Sequence, residues 1–256
     1  MCAIGFAGLS DIGCLRSSNQ DRWGADAGQS LFAVADGVAT STDGGLAAEM
    51  VIELLPTYVQ RHLDGQAEPK ELGRAVAELS NDLYAKGLTD PRIAGATSTL
   101  VAALVVGARA LVVHLGDSRA YLFRARELQQ LTRDHSLVQA LLDAGEVTAE
   151  EAAQHPARNV IVRYVAMPPP ALPETVALEV QDGDRILLCS DGLCGVVEDG
   201  VLAEILATQD DPPDACAALI AAARRAGGPD NITAVVIDVG DLVAASTDST
   251  VPLEVT

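Results

Sequence analysis

Four aspartates stand at the ends of short apolar runs, where a folded chain can gather them. Leu31-Phe-Ala-Val-Ala35 runs into Asp36-Gly37, Leu111-Val-Val-His-Leu115 into Gly116-Asp117, and Arg185-Ile-Leu-Leu-Cys189-Ser190 into Asp191-Gly192. The fourth, Asp230, stands with Asn231 just before the run Ile232 to Val239. One Asp-Gly after a strand is an ordinary turn, but four carboxylates at the rims of buried strands form a rigid acidic site. Crowded carboxylates raise one another's pKa unless a cation lies between them. Oxygen donors alone select hard cations such as Mg²⁺ or Mn²⁺ over zinc, and a glycine after the aspartate frees its carbonyl to turn inward as a further oxygen. Two such ions about 3.5–4 Å apart lower the pKa of a shared water toward neutrality, which suits attack on phosphorus. Nearer the N-terminus, Arg16 stands five residues before Asp21. A guanidinium fork matches two phosphate oxygens, and the neighbouring acid can hold a second cation through water. In isolation that segment reads first as a surface loop with a solvated arginine.

The elements that must position these residues are legible as two kinds of run. Leu31–Ala35, Ser98–Val106, Ala110–Leu115, Ala120–Phe123, Arg185–Cys189 and Ile232–Val239 are β-rich and too short for helices. Gly107 before Arg109-Ala110 predicts a hairpin between the second and third. Helical spacing covers Gly45–His62, with Leu46, Met50, Leu54 and Leu55 on one face, and Lys70–Leu83. Weaker helical patterns cover Leu137–Ala144, Ala149–Gln154, Val201–Ala207 and Asp214–Ala226, and Asp43 is the expected N-cap of the first helix. Hairpin-like strand runs with helices in pairs between them suit α+β layers better than a parallel βαβ sheet. Asp64–Lys70, Met167–Pro173 and the Ser/Thr/Asp-rich stretch from about Ala244 read as loops or loosely packed chain.

Composition narrows the function. The 256 residues carry 17 basic and 36 acidic side chains, a formal net charge of −19, which argues against nucleic acid as a partner and fits a protein that gathers cations. Hydrophobic residues at 49% exclude disorder, while aromatics at only 3% leave the core to Ala, Val, Leu and Ile. No apolar run approaches the ~20 residues needed to cross a bilayer, and Met-Cys-Ala-Ile-Gly lacks the layout of a signal peptide, so no membrane association is expected. The five cysteines form neither a paired framework nor a CxxC, which points to a reducing, cytoplasmic compartment. None of the four histidines is spaced for zinc. His114 reads as a strand residue, and Cys189 and Cys194 as buried packing residues.

Eight short motifs, in order from about Gly8 to Val239, resemble the metal-dependent protein phosphatases of type 2C, the PPM family. They are Ser10-Asp-Ile-Gly, Arg16-x-x-Asn-Gln-Asp21, Val34-Ala-Asp-Gly37 and Gly95-Ala-Thr-Ser-Thr99, followed by Gly116-Asp-Ser-Arg-Ala-Tyr121 and Leu131-Thr-Arg-Asp-His-Ser136. Gly183-Asp-Arg-Ile-Leu-Leu-Cys-Ser-Asp-Gly-Leu193 and Gly228-Pro-Asp-Asn-Ile-Thr233 complete the set. The resemblance implies a four-layer α-β-β-α sandwich of two antiparallel sheets flanked by helix pairs. A single catalytic domain over residues 1–243 and a flexible tail over 244–256 are expected. It implies two Mn²⁺ or Mg²⁺ ions with a weaker third: Asp36 bridging, the Gly37 carbonyl beside it, Asp191 and Asp230 completing the first ion's shell, Asp21 near the second through water, and Asp117 with Asp191 at the third. Arg16 is expected to grip the substrate phosphate and Asn231 to orient Asp230. The implied reaction is hydrolysis of phosphoserine or phosphothreonine on proteins by metal-activated water, opposing a bacterial serine/threonine kinase. Alternatives are a catalytically weak scaffold that binds a phosphoprotein, or a phosphatase acting on an anti-sigma antagonist. The oligomeric state is not legible in the sequence.

Three departures from the family pattern stand out. Gln20 replaces the metal-binding glutamate of some eukaryotic relatives, which weakens the second site. Val38-Ala-Thr-Ser-Thr-Asp-Gly-Gly follows Asp36-Gly37 without the family's histidine, the proposed general acid. Arg163-Tyr-Val-Ala-Met167 stands where Arg-Ala-Leu-Gly is usual, at the end of the segment Leu137–Arg163 that corresponds to the family's mobile flap.

Overall fold

Strands that are apolar on both faces form the centre of the molecule, because each has a neighbouring layer on either side. The computed structural model describes residues 3–38, 44–63 and 67–240. The chain begins with β1 (Ala3–Asp11), β2 (Asp21–Asp26), β3 (Leu31–Val38), α1 (Gly44–His62) and α2 (Pro69–Gly87). It continues through β4 (Thr97–Ser98), β5 (Leu100–Val106), β6 (Arg109–Leu115), β7 (Arg119–Arg124) and β8 (Glu127–Gln130). After α3 (Leu137–Asp143) and α4 (Ala149–Ala153) come β9 (Glu174–Glu179), β10 (Arg185–Cys189), α5 (Asp191–Cys194), α6 (Asp199–Thr208), α7 (Pro212–Arg225) and β11 (Ile232–Gly240).

One sheet has the order β1-β11-β10-β7-β8; the other runs β2-β3-β5-β6-β9, with β4 paired to β3. Every pairing is antiparallel. The predicted hairpin is β5–β6, with Leu104 opposite Leu111. Val34, Val101, Val112, Leu122, Leu188 and Val235 fill the space between the sheets. On the outer face of the six-stranded sheet, Val51 and Leu55 of α1 and Leu72 and Leu79 of α2 pack on Ala33, Ala102 and Val113. On the other side, Leu202 and Leu206 of α6 and Leu219 and Ala223 of α7 pack on Tyr121, Leu187 and Val236. Each large side chain so buried contributes roughly 1.5–3 kcal/mol of transfer free energy. The four-layer α-β-β-α architecture expected from the motifs is therefore the one observed.

The structure differs from the sequence expectation at the margins. Strands β1, β2, β8 and β9 were not among the predicted runs, because β2 and β9 are half-exposed edge strands and β1 carries two glycines. One of these, Gly8, lies flat under the Trp23 ring: a Cβ there would fall 2.4 Å from it. The predicted run Ser98–Val106 is interrupted at Thr99, and α2 extends from Pro69 to Gly87, beyond the predicted Lys70–Leu83, with proline at its first turn. The predicted N-cap at Asp43, most of the stretch after Val38 that departs from the family pattern, residues 64–66 and the tail 244–256 lie outside the described residues. Among the described residues no helix is long and apolar enough to cross a membrane.

Candidate metal centre

The aspartates meet because both sheets end on the same side. Asp21 opens β2 and Asp36 lies near the end of β3, directly opposite each other in the antiparallel register. Asp117 lies in the turn by which the chain passes from β6 in one sheet to β7 in the other. Asp191 begins α5 after β10, and Asp230 precedes β11, the neighbour of β10. Gly192 lets the last two approach, since a Cβ there would fall 1.8 Å from the Asn231 carbonyl oxygen. Thr99, at the interruption between β4 and β5, fixes Asp36 twice. Its amide donates to the Asp36 carbonyl at 2.8 Å, and its hydroxyl accepts the Asp36 N–H at 3.0 Å. The Thr99 hydroxyl also bonds that of Ser118, next to Asp117, at 2.7 Å.

The cluster is electrostatically poised for cations. Burial, then repulsion from Asp21, Asp191, Asp117 and Asp230, pushes the Asp36 carboxyl well above the usual range. Burial and the charges of Asp230 and Asp21 raise Asp191 to about 6, while burial and the charge of Asp191 raise Asp117 to about 7. Asp21, only 2% exposed, is raised chiefly by burial. One oxygen each of Asp21, Asp117 and Asp191 is buried without a hydrogen-bond partner. A buried acceptor left unpaired is costly, and three within one cluster of mutually repelling carboxylates suit a hard divalent cation held by oxygen donors. The residues present thus suit Mn²⁺ or Mg²⁺.

Arg16 stands at the edge of this cluster, its Nη2 donating to Asp230 Oδ2 at 2.5 Å, with Asp36 and Asp191 adding to the field on it. Asn231 touches both Asp230 and the loop that carries Arg16. Its backbone N–H donates to Asp230 Oδ1 at 2.8 Å, and its side chain holds the loop. There Nδ2 donates to the carbonyls of Ile12 and Ser18, and Oδ1 accepts the Gln20 N–H. The Gly37 N–H in turn donates to the Gln20 carbonyl at 3.2 Å.

Several polar residues around the site had no assigned role in the sequence reading. Asp21 Oδ2 accepts from the hydroxyls of Ser190 and Thr233, each at 2.7 Å. The Thr233 hydroxyl also bonds that of Ser10 at 2.7 Å, and Asn19 Nδ2 donates to Ser10 Oγ at 2.8 Å. These residues lie inside the quoted motifs, which was the available signal. His114 and His135 stack face to face, centroids 4.4 Å apart, with Glu174 nearby. Arg163 donates to Glu174 at 2.6 Å, so a guanidinium already satisfies that carboxylate. Burial lowers both imidazoles, His135 to about 4. Cys189 is fully buried, whereas Cys194 is only partly so.

A sequence-family model described as protein phosphatase 2C matches residues 16–209. The serine/threonine protein phosphatase PstP of Mycobacterium tuberculosis is 40% identical over 242 residues, covering 92% of this chain and 45% of that protein. The chain thus spans about half the length of that relative. Protein phosphatase PhpP of Streptococcus pneumoniae is 32% identical over 237 residues, 91% of this chain and 96% of its own. A crystal structure of the PstP catalytic domain in complex with two manganese ions superposes with a TM-score of 0.80 at 35% identity, covering 94% of this chain and all of that one. By motif order, fold and these similarities, the chain belongs to the protein phosphatase 2C family.

Proposed function

We propose that this chain is a Mn²⁺- or Mg²⁺-dependent phosphatase that hydrolyses phosphoserine and phosphothreonine on proteins. The observation that carries the reading is the carboxylate cluster with three buried, unpartnered oxygens, tied at its edge to Arg16 through Asp230. Divalent cations bound there would supply charge neutralisation and a water of lowered pKa suited to in-line attack on phosphorus. Asp36 and the Gly37 carbonyl, Asp191 and Asp230 would hold two of them, with Asp21 beside them, and Asp117 with Asp191 a weaker third. Arg16 binds the phosphate oxygens of the substrate and holds the group in line for displacement. Asn231 keeps the Arg16 loop in place through the carbonyls of Ile12 and Ser18. Phosphoproteins are the substrate class, in keeping with the names of the relatives, and a serine/threonine kinase or its targets are the partners. The described cysteines, Cys14, Cys189, Cys194 and Cys216, are free thiols, which supports a reducing, cytoplasmic setting.

Matched phosphothreonine and phosphotyrosine peptides supplied with Mn²⁺ test the reading. Turnover of the first and slow or absent turnover of the second is expected. Tight binding of a phosphopeptide without phosphate release would instead make the chain a scaffold.

A further inference from the structure

Asp21 belongs to the six-stranded sheet, yet the groups that hold its carboxylate belong to the other. Thr233 lies on β11 and Ser190 at the end of β10, both in the five-stranded sheet, and both hydroxyls donate to the same oxygen, Oδ2, at 2.7 Å. Ser190 is itself held, its Oγ accepting the Thr233 N–H at 3.0 Å and its N–H donating to the Thr233 carbonyl at 3.1 Å. Thr233 and Ser190 are fully buried, and Asp21 is 2% exposed. With Oδ2 saturated by two donors, Oδ1 is the oxygen left over, buried and without a hydrogen-bond partner. Asp36 stands directly opposite Asp21 in the strand register. Two hydroxyls on one oxygen fix both the position and the rotation of the carboxylate, which a single donor would leave free to turn.

We infer that Ser190 and Thr233 are positioning residues for cation binding: by occupying Asp21 Oδ2 they turn Oδ1 toward the carboxylate cluster as a pre-oriented donor. The inference rests on the cation centre proposed above and adds what orients one of its acids. Groups that hydrogen-bond a metal-binding carboxylate lower the reorganisation needed on binding, and their loss typically weakens metal affinity about 10- to 100-fold. The same bonds tie the two sheets together next to the site, so cation binding and sheet packing share one contact.

The test is calorimetric titration of Mn²⁺ into the metal-free protein, comparing wild type with Thr233→Val, Ser190→Ala and Thr233→Ser, alongside thermal unfolding without metal. Thr233→Val nearly preserves volume and Ser190→Ala removes a single oxygen, so either variant alone suffices if the other unfolds. Mn²⁺ affinity is expected to fall about 10- to 100-fold in both and to be restored in Thr233→Ser. In turnover assays the Mn²⁺ activation constant should rise while KM for a phosphopeptide at saturating Mn²⁺ stays in place. Wild-type affinity in Thr233→Val and Ser190→Ala, even with a lowered Tm, overturns the inference and leaves these hydroxyls a packing role. Absence of Mn²⁺ binding to the wild type would remove the cation centre itself, a different failure.

Discussion

Arg16 Nη2 donates to Asp230 Oδ2 at 2.5 Å, so the guanidinium proposed to bind phosphate is tied to a carboxylate proposed to bind a cation. The pair is half-exposed and couples the two halves of the site: whatever neutralises Asp230 frees Arg16 to meet an anion. Arg16→Ala should therefore raise KM for a phosphopeptide by an amount equivalent to about 2–3 kcal/mol, the value of lost charged hydrogen bonds, and change kcat little. Mn²⁺ affinity should hold or improve, since Asp230 loses a competing cation. An unchanged KM would move the phosphate site elsewhere.

Stabilisation by metal should grow with pH. Asp191 and Asp117 titrate near 6 and 7 when folded, well above an ordinary aspartate, so in that window the folded metal-free chain keeps protons that the unfolded chain releases. Metal-free stability is thus gained as pH falls through these values and lost as pH rises through them. Below about 6.5 the neutral His114–His135 stack acts in the opposite sense, because the unfolded chain then takes up protons that the folded imidazoles refuse. The histidine contribution is common to metal-free and metal-bound protein, so the rise in Tm produced by saturating Mn²⁺ should be larger at pH 8 than at pH 6.5. A rise that is equal or smaller at pH 8 would contradict the carboxylate cluster as described.

Asp191→Asn separates stability from activity. Removing one charge from a cluster of five should raise the metal-free Tm, while turnover falls at least about 100-fold through lost cation binding. Scanning calorimetry and phosphate release on the same sample check both. Near-normal turnover at saturating Mn²⁺ would remove Asp191 from the site.

Ala166 stands in the left-handed region at φ 64°, where the family pattern has glycine. Its N–H donates to Ser80 Oγ of α2 at 3.0 Å, which holds that conformation in place. The left-handed region costs a residue with a Cβ about 1–2 kcal/mol, of which glycine's greater unfolded-state freedom takes back a part. Ala166→Gly should stabilise the protein by up to about 1 kcal/mol in denaturant unfolding. Destabilisation would show that the Ala166 methyl makes contacts worth more than the backbone cost.

Leu31–Ala35 and Arg185–Cys189 were legible as strands because both of their faces are buried, so every residue but Arg185 is apolar. Asp21–Asp26 and Glu174–Glu179 were not, since edge strands need bury only part of one face and their composition resembles that of loops. The acidic site showed itself through where the aspartates fall relative to those buried runs. Its supports did not. Ser190 and Thr233 reach Asp21 across 169 and 212 residues of sequence, and nothing local distinguishes a strand-end hydroxyl that braces a carboxylate from one that faces water. Asn231 was expected to orient Asp230, its chain neighbour, and its N–H does meet that carboxylate; that its side chain also braces a loop more than two hundred residues away was not legible. The stack of His114 on His135 likewise depends on the packing of a strand against a turn, which no periodicity encodes.

The most direct measurement is phosphate release from a phosphothreonine peptide as Mn²⁺ is added to metal-free protein and then withdrawn by chelator. Turnover should be absent without metal, rise saturably with Mn²⁺, vanish on chelation and return when Mn²⁺ is restored. Turnover that persists in chelator, or its absence when Mn²⁺ is shown to be bound, would contradict a cation-dependent phosphatase centred on Asp36, Asp191 and Asp230.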